Sequence, residues 1–349
     1  MDQNIDTLNS LLKAHPNARP RLHAKAHKSP GIARMQIEKH DAVGVCCQKL
    51  AEAEAMVAGG VPDVLISNEI VQRPKLKRLA ELATHAKISI CADDIANVRD
   101  ISAAASEAGM QIGVLVEVNV GQNRCGVDTP SEAVALAQEI VSLPGLEFAG
   151  IQAYHGGIQH VREREERQLA VEKVVAKARE AVDALREAGL ECPVVTGGGT
   201  GTFEFEAASG VYTEVQPGSY LFGDADYARN DCPWQQSLFV QTTVMSVNPS
   251  RGTAVIDAGL KASSFDSGPP LLAGSLGKCF DVENGGDEHG ILVPKSGVQG
   301  TVQLPKVGEV VRLIPGHCDP TVNCHDFLVG VRKGQVEVVF EISGRGPGF

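Results

Sequence analysis

The chain of 349 residues is 43% hydrophobic and 21% charged, the proportions of a soluble globular protein with room for one large domain and a smaller one. Its formal charge of −11 excludes nucleic acid and anionic membrane as favoured partners, although local lysines, arginines and backbone amides can still hold a small anion. No apolar run approaches the roughly 20 residues that span a bilayer, and the nine scattered cysteines, several in strand-like runs (Cys46, Cys47, Cys91, Cys125), suit reduced thiols in the cytoplasm.

The opening MDQNIDTLNSLLKAH has the spacing of an amphipathic helix with early acids, not of a signal peptide. From Leu22 to Pro217, short apolar runs alternate with helical patterns. The predicted strands end at Lys25, Cys46, Ser67, Ala92, Val120, Tyr154, Gly197 and Val215. Helix-length segments such as Gln48–Ala58, Pro74–His85 and Glu163–Ala188 separate them. Eight strand–helix repeats predict an α/β fold of the (β/α)8 barrel type rather than a doubly wound sheet. After about Trp234 the texture turns to β-rich runs punctuated by Gly, Pro and Asp: VQTTVMSVNP, GTAVIDAG, GILVPKSG, EVVRLIPG and QVEVVFEI. The expected division is a barrel over 1–230 and an all-β domain over 231–349, with the boundary near Asn230–Pro233.

Chemistry-bearing residues fall at the expected strand ends, where barrels place their sites. The first strand closes on His23-Ala24-Lys25-Ala26-His27-Lys28. Positive charge from His23, His27 and Lys28 is expected to lower the Lys25 ammonium pKa and free a nucleophile. After the fifth strand, Arg124 sits in a Gly-bracketed turn that can present its fork to a phenolate or carboxylate, or simply to solvent. The sixth strand ends in Tyr154, suited to packing on a ring, and is followed by His155 and His160, either of which can act as a base near neutral pH.

Thr196-Gly197-Gly198-Gly199-Thr200-Gly201-Thr202 follows the seventh strand, where glycine amides and threonine hydroxyls can cradle a phosphate; Pro217-Gly218-Ser219-Tyr220 can complete it. In the β-domain, His317 and Asp319 alternate as strand residues do and can point to one side. That mixed N/O pair suits Mn²⁺ or Mg²⁺ with waters completing the shell, while Cys318 faces away. Asp287-Glu288-His289-Gly290 reads either as a support to that pair or as a tight turn.

The ordered motifs HxK…NRCG…QAYxGxxQH…GGGTGT…QxGSY…DAGxKAxSxDSG…DEHG…PGHxDPT resemble the metal-activated pyridoxal-phosphate enzymes of the alanine-racemase barrel fold, in their D-threonine aldolase and 3-hydroxy-D-aspartate aldolase branch. The resemblance runs from about Asn4 to the C-terminus. It implies a Schiff base at Lys25, and a cofactor phosphate held around Thr196, Gly198, Gly199, Thr200, Gly201, Thr202, Gln216, Gly218, Ser219 and Tyr220. It places Arg124 at the cofactor phenolate, Tyr154 near the ring, His160 as base, and His317 and Asp319 on the divalent cation. Related dehydratases carry cysteine at the Asp319 position, so aspartate favours an aldolase. The family usually has a strand before the helix matching Asp2–His15, whereas this sequence opens within that helix; the expectation is a trimmed start or a β-domain closed differently.

The implied activity is cleavage of a D-3-hydroxy amino acid, 3-hydroxy-D-aspartate foremost, to glycine and an aldehyde such as glyoxylate, or the reverse. Elimination of water from the same substrate, or from D-serine, is a second reading. A non-catalytic pyridoxal-phosphate-binding homeostasis protein is a third, opposed by the second domain and the metal pair. The resemblance also implies a homodimer with small-molecule amino acid and aldehyde substrates as its other partners. In it one subunit's β-domain covers the other's barrel, bringing the metal pair and Lys25 of one site from different chains.

Overall fold

A computed structural model describes residues 1–297 and 303–349. Helix α1 (Asp2–Leu12) precedes an alternating run: β1 (Arg19–His23), α2 (Pro30–His40), β2 (Gly44–Cys47), α3 (Leu50–Ala58), β3 (Asp63–Ile66), α4 (Arg73–Leu82), β4 (Lys87–Ala92) and α5 (Ile95–Ala108). It continues with β5 (Ile112–Glu117), α6 (Pro130–Ser142), β6 (Leu146–Gln152), α7 (Arg164–Glu187), β7 (Val194–Gly197), α8 (Phe203–Ala208) and β8 (Glu214–Val215). The eight strands form a closed barrel, each parallel to its neighbour, and β8 closes on β1 with Arg19 opposite Glu214.

Strands covered on both faces need side chains that are apolar on both. Val45 and Cys47 face outward into the layer under the helices, whereas Cys46, Leu65, Cys91 and Leu115 fill the barrel interior. Local signals set the helix starts. Thr129 Oγ1 accepts from Glu132 N at 3.2 Å, the Glu132 carboxylate accepts from Thr129 N at 2.9 Å, and Pro130 opens α6.

Three strands stop two or three residues short of their expected ends, each for a local reason. β1 ends at His23 rather than Lys25 because His23 Nδ1 accepts from Lys25 N (3.4 Å) and starts a 3-10 turn over Ala24–Ala26. β5 ends at Glu117 rather than Val120; Asn119 Oδ1 accepts from Gly121 N and Asn123 N and folds the chain back. β6 ends at Gln152 rather than Tyr154, and Gly156 N then turns to Gln122 Oε1 (2.7 Å).

The second domain is mostly β, as expected. Strands β9 (Val240–Asn248), β10 (Thr253–Ile256), β11 (Leu271–Leu272), β12 (Phe280–Asn284), β13 (Gly290–Pro294) and β14 (Val310–Ile314) form a six-stranded sheet in the order β11-β14-β9-β10-β13-β12. Its own core includes Val244, Ile256, Phe280, Leu292 and Leu313. A short helix α9 (Cys318–Val322) follows. The hairpin of β15 (Phe327–Arg332) and β16 (Gln335–Glu341) stands outside that sheet and packs on the barrel, with Phe340 against Gly31 of α2. Among the described residues no helix is long and apolar enough to cross a membrane.

An ion-pair cluster ties β1, β3 and β8 together. Arg21 donates to Glu214 (2.7 and 3.2 Å) and to Asp63 (2.6 Å), and the Arg21 and Glu214 side chains are each 6% exposed. Removing the cation strands the nearly buried Glu214 carboxylate and leaves Asp63 only the exposed Lys87 at 3.7 Å. Arg21→Met should therefore lower stability by about 3–5 kcal/mol; an unchanged midpoint in denaturant unfolding followed by circular dichroism would refute the role assigned to this cluster.

Candidate active site at the barrel mouth

The turn after β1 buries Ala24 and Ala26 and leaves Lys25 partly open, its side chain 34% exposed. Lys25 Nζ lies 3.7 Å from Asp319 Oδ2, and Asp319 is in turn 4.0 Å from His317 Nε2. Lys25 and the His317–Asp319 pair thus meet within a single chain, which corrects the expectation that they come from different subunits. His317 and Asp319 converge by a different route from the strand alternation predicted. His317 is the extended N-cap of α9 and Asp319 lies in its first turn, so the bend at the cap, not a pleat, brings their side chains together.

The charges also differ from expectation. Burial drives the His23 imidazole well below its usual range, with Lys25 adding to the effect, and burial with Lys28 drives His27 down to about 3. Both rings are therefore neutral and do little to free the amine. Burial disfavours the Lys25 ammonium, but the Asp319 carboxylate overrides it and raises the Lys25 pKa. Burial likewise pushes Asp319 up, yet Lys25, His317 and Lys28 together hold it at about 2.

Lys28, in the left-handed region at φ 52°, is buried and donates from Nζ to Lys25 O (2.5 Å) and Asp319 O (3.0 Å). Its ammonium staples the β1 turn to α9. Asp266 was not foreseen: its Oδ2 lies 2.8 Å from His317 Nδ1, with Ser267 Oγ at 3.5 Å. A carboxylate on one ring nitrogen orients the other, here Nε2, toward a shared ion with Asp319. The donor set fits a divalent cation with open positions. The stretch from Asp287 to His289 is bound up in a turn: Lys261 N donates to Asp287 O (3.1 Å), Gly285 N donates to His289 O (3.0 Å), and Glu288 pairs with Lys261.

The glycine loop lies over a hydrogen-bonded polar floor, in which Glu206 Oε2 is buried without a partner. A Cβ on Gly199 or Gly201 would come within 2.5 or 2.3 Å of Gln159, and Gly198 has φ 70°, so the loop admits only glycine at these points. Gly201 N donates to Gln159 Oε1 (3.0 Å), and Thr202 Oγ1 accepts from Gln159 Nε2 and donates to Glu206 (both 2.8 Å). These groups hold the loop's shape rather than facing outward. Thr200 Oγ1 accepts from Gly218 N (3.2 Å) and Tyr220 N (3.1 Å), which leaves its own proton to donate.

Burial, partly offset by Thr202, pushes the Glu206 carboxyl up to about 7. A carboxyl shifted that way carries less charge near neutral pH than an ordinary one and so repels a phosphate overhead less. Below, Gln216 Nε2 donates to Gln152 Oε1 and Thr196 Oγ1, both at 2.8 Å. Ser219 Oγ lies 3.5 Å from Asp319 Oδ1. Burial raises the Tyr154 pKa against the opposing charges of Lys25 and Arg124. A loop that only glycine can build, a half-open lysine and adjacent hydroxyls fit a phosphorylated carbonyl cofactor.

Tyr220 is the exception in this set. Its hydroxyl is taken by Gln36 Nε2 (2.8 Å) and His40 Nε2 (2.7 Å), between the barrel and α2, so only its main chain reaches the cradle. His160 does not touch the Lys25–Asp319 pair directly; it is held by Asp226 and Tyr227, neither anticipated.

A closed parallel barrel with a lysine in the turn after its first strand, a glycine loop after its seventh and a second, mostly-β domain defines the class. The chain belongs to the family described as alanine racemase, N-terminal domain, which it matches over residues 1–226, and residues 237–331 match the putative serine dehydratase domain. A 3-hydroxy-D-aspartate aldolase of Paracoccus denitrificans (strain Pd 1222) is 44% identical over 363 residues, covering 100% of this chain and 90% of that protein. A D-threonine aldolase of Arthrobacter sp. is 49% identical over 330 residues, covering 93% of this chain and 85% of that one. The crystal structure of D-threonine aldolase from Filomicrobium marinum superposes with a TM-score of 0.94 at 45% identity, covering 99% of this chain and 93% of that chain.

Two outcomes test this geometry. Mixing inactive Lys25→Ala and Asp319→Ala chains under proven subunit exchange should restore no activity, because both residues belong to one chain's site; recovery would show sites shared between chains. Tyr220→Phe should cost about 1–3 kcal/mol of stability by orphaning Gln36 and His40, yet leave cofactor titration unchanged.

Proposed function

We propose that this protein is a pyridoxal-phosphate- and divalent-metal-dependent aldolase that interconverts a D-3-hydroxy amino acid with glycine and an aldehyde. The favoured pair is 3-hydroxy-D-aspartate and glyoxylate. The observation that carries the reading is the meeting of Lys25 with Asp319 and His317 at the barrel mouth. A carbonyl-reactive amine and a hard-cation site then face the same substrate.

When bound, the cofactor supplies an electron sink for the Cα–Cβ pair and the ion supplies Lewis acidity toward the β-hydroxyl. Lys25 would hold the cofactor covalently, with its phosphate at Gly198–Thr202, Gly218 and Ser219. Gln216 and Thr196 would form the floor, Arg124 would face the phenolate, and Tyr154 would lie beside the ring. His317 and Asp319 would hold the cation, with Mn²⁺ or Mg²⁺ the expected ions. His160 accepts the hydroxyl proton at its free ring nitrogen, since an aliphatic hydroxyl does not ionise unaided near neutral pH.

The likeness of residues 237–331 to a serine dehydratase domain supports a second reading, loss of water from the same substrate. Aspartate rather than cysteine at position 319 supports the aldolase. Nine unpaired cysteines support a reducing, cytoplasmic setting. Exposed Val329, Val331, Val336 and Val339 on the C-terminal hairpin support a homodimer. Two functional units, 1–230 and 231–349, remain the proposed division.

Supplied with pyridoxal phosphate, Mn²⁺ and D-3-hydroxyaspartate, the enzyme should yield glycine and glyoxylate; oxaloacetate and ammonia would establish the dehydratase instead. EDTA should silence it without bleaching the cofactor spectrum. Asp319→Ala should weaken metal affinity and recover in part with excess Mn²⁺, and full cleavage by chelated enzyme would remove the metal from the scheme.

A further inference from the structure

His160 ends the 3-10 turn Gly156–His160 and its side chain is 44% exposed. A side chain that open would ordinarily sample several rotamers and both tautomers. Two contacts remove that freedom. Nδ1 lies 2.5 Å from Asp226 Oδ2, and the Tyr227 ring backs the imidazole at 5.1 Å between centroids. An ionised carboxylate only accepts hydrogen bonds, so the shared proton belongs on Nδ1 and Nε2 is left as an acceptor.

Asp226 is itself held from several sides. Its side chain is 10% exposed; Oδ1 faces the Arg162 guanidinium and lies 3.9 Å from Arg229, which leaves Oδ2 to the imidazole. Arg162 also donates to Asp226 O (2.9 Å) and Asn230 Oδ1 (2.7 Å). Asn230 Nδ2 returns to Gln159 O (2.9 Å), the residue before His160, and closes the circuit.

The same segment reaches the cation pair. Ala225 N donates to Pro315 O (2.8 Å) and Asp226 N to Gly316 O (3.2 Å), directly before His317. Asp224 Oδ2 accepts from Cys318 N (3.2 Å). Residues 224–230 therefore bridge the imidazole and the metal helix.

We infer that Asp226 is a positioning residue for this reaction: by fixing the tautomer and ring orientation of His160, it leaves Nε2 as the atom that takes the substrate's hydroxyl proton. The inference rests on the reading of His160 as base. Asn at 226 tests it sharply, because an amide can donate to Nδ1 and so favour the opposite tautomer, with the proton on Nε2.

The experiment compares Asp226→Asn, His160→Ala and the double variant as metal- and cofactor-loaded enzymes acting on D-3-hydroxyaspartate. His160→Ala should lose roughly 10²–10⁴-fold in kcat. Asp226→Asn should lose roughly 10²-fold or more in kcat, with KM and the Mn²⁺ activation midpoint held near wild type, and should add nothing in the His160→Ala background. In wild-type holoenzyme labelled with ¹⁵N-histidine, the His160 signal should show a protonated Nδ1 and a bare Nε2. That measurement does not depend on any variant folding.

An equal loss from Asp226→Asn with and without His160, or an Nε2-protonated ring in the wild type, overturns the inference. If His160→Ala keeps full turnover, the base assignment falls and the inference with it. If His160→Ala is inactive while Asp226→Asn is fully active, only the role of Asp226 falls.

Discussion

An ammonium and a carboxylate 3.7 Å apart, one at the end of the first barrel strand and the other on a helix of the second domain, set the frame for everything else in this molecule. Neither charge is freely hydrated, so each makes the other tolerable in a partly desolvated mouth. Lys28 reinforces the pair without entering it, bonding the carbonyls of both Lys25 and Asp319. The β-domain is thus fixed to the barrel at the point where the chemistry is expected.

Around that pair the polar groups divide into those that keep the site's shape and those left to act. Gln159, Thr202 and Glu206 bond to one another and to the glycine loop, and Gln152, Gln216 and Thr196 bond to one another below it. Such closed networks rigidify a site, because every member that moves must break a bond in a low-dielectric setting. Lys25, Ser219, His317 and Asp319 keep reach toward a ligand. Burial supplies the selection: it neutralises His23 and His27 and weakens the charge on Glu206, so charge is kept where a cation or an amine is wanted.

Much of this was legible because barrels put function at strand ends. The period of apolar runs located all eight strands, and with them Lys25, the glycine loop, Tyr154 and Arg124. What the sequence hid was direction. Tyr220 sits beside the loop in sequence, yet its hydroxyl points to Gln36 and His40 on α2, a partnership set by helix packing rather than by neighbouring residues. His317 and Asp319 do converge, but through an N-cap followed by a helical turn, which imitates strand alternation over three residues. The sign of the effect on Lys25 was misjudged because the histidines around it lose their protons to burial, which sequence proximity does not reveal. Asp226 is 66 residues beyond His160 and carries no motif of its own.

The route of the chain between the two domains limits how they can be recombined. After β8 the segment through Asn230 has already bonded to Pro315 and Gly316 of the second domain. After α9 the chain returns, and Gly344 N donates to Lys28 O at 2.9 Å. A cut at the compositional boundary would therefore separate partners on both sides of it. A chimera joining this barrel to a relative's β-domain inherits a working mouth only if residues 224–230, α9 and the C-terminal hairpin come from one parent, so the natural unit of exchange is the interface rather than the domain.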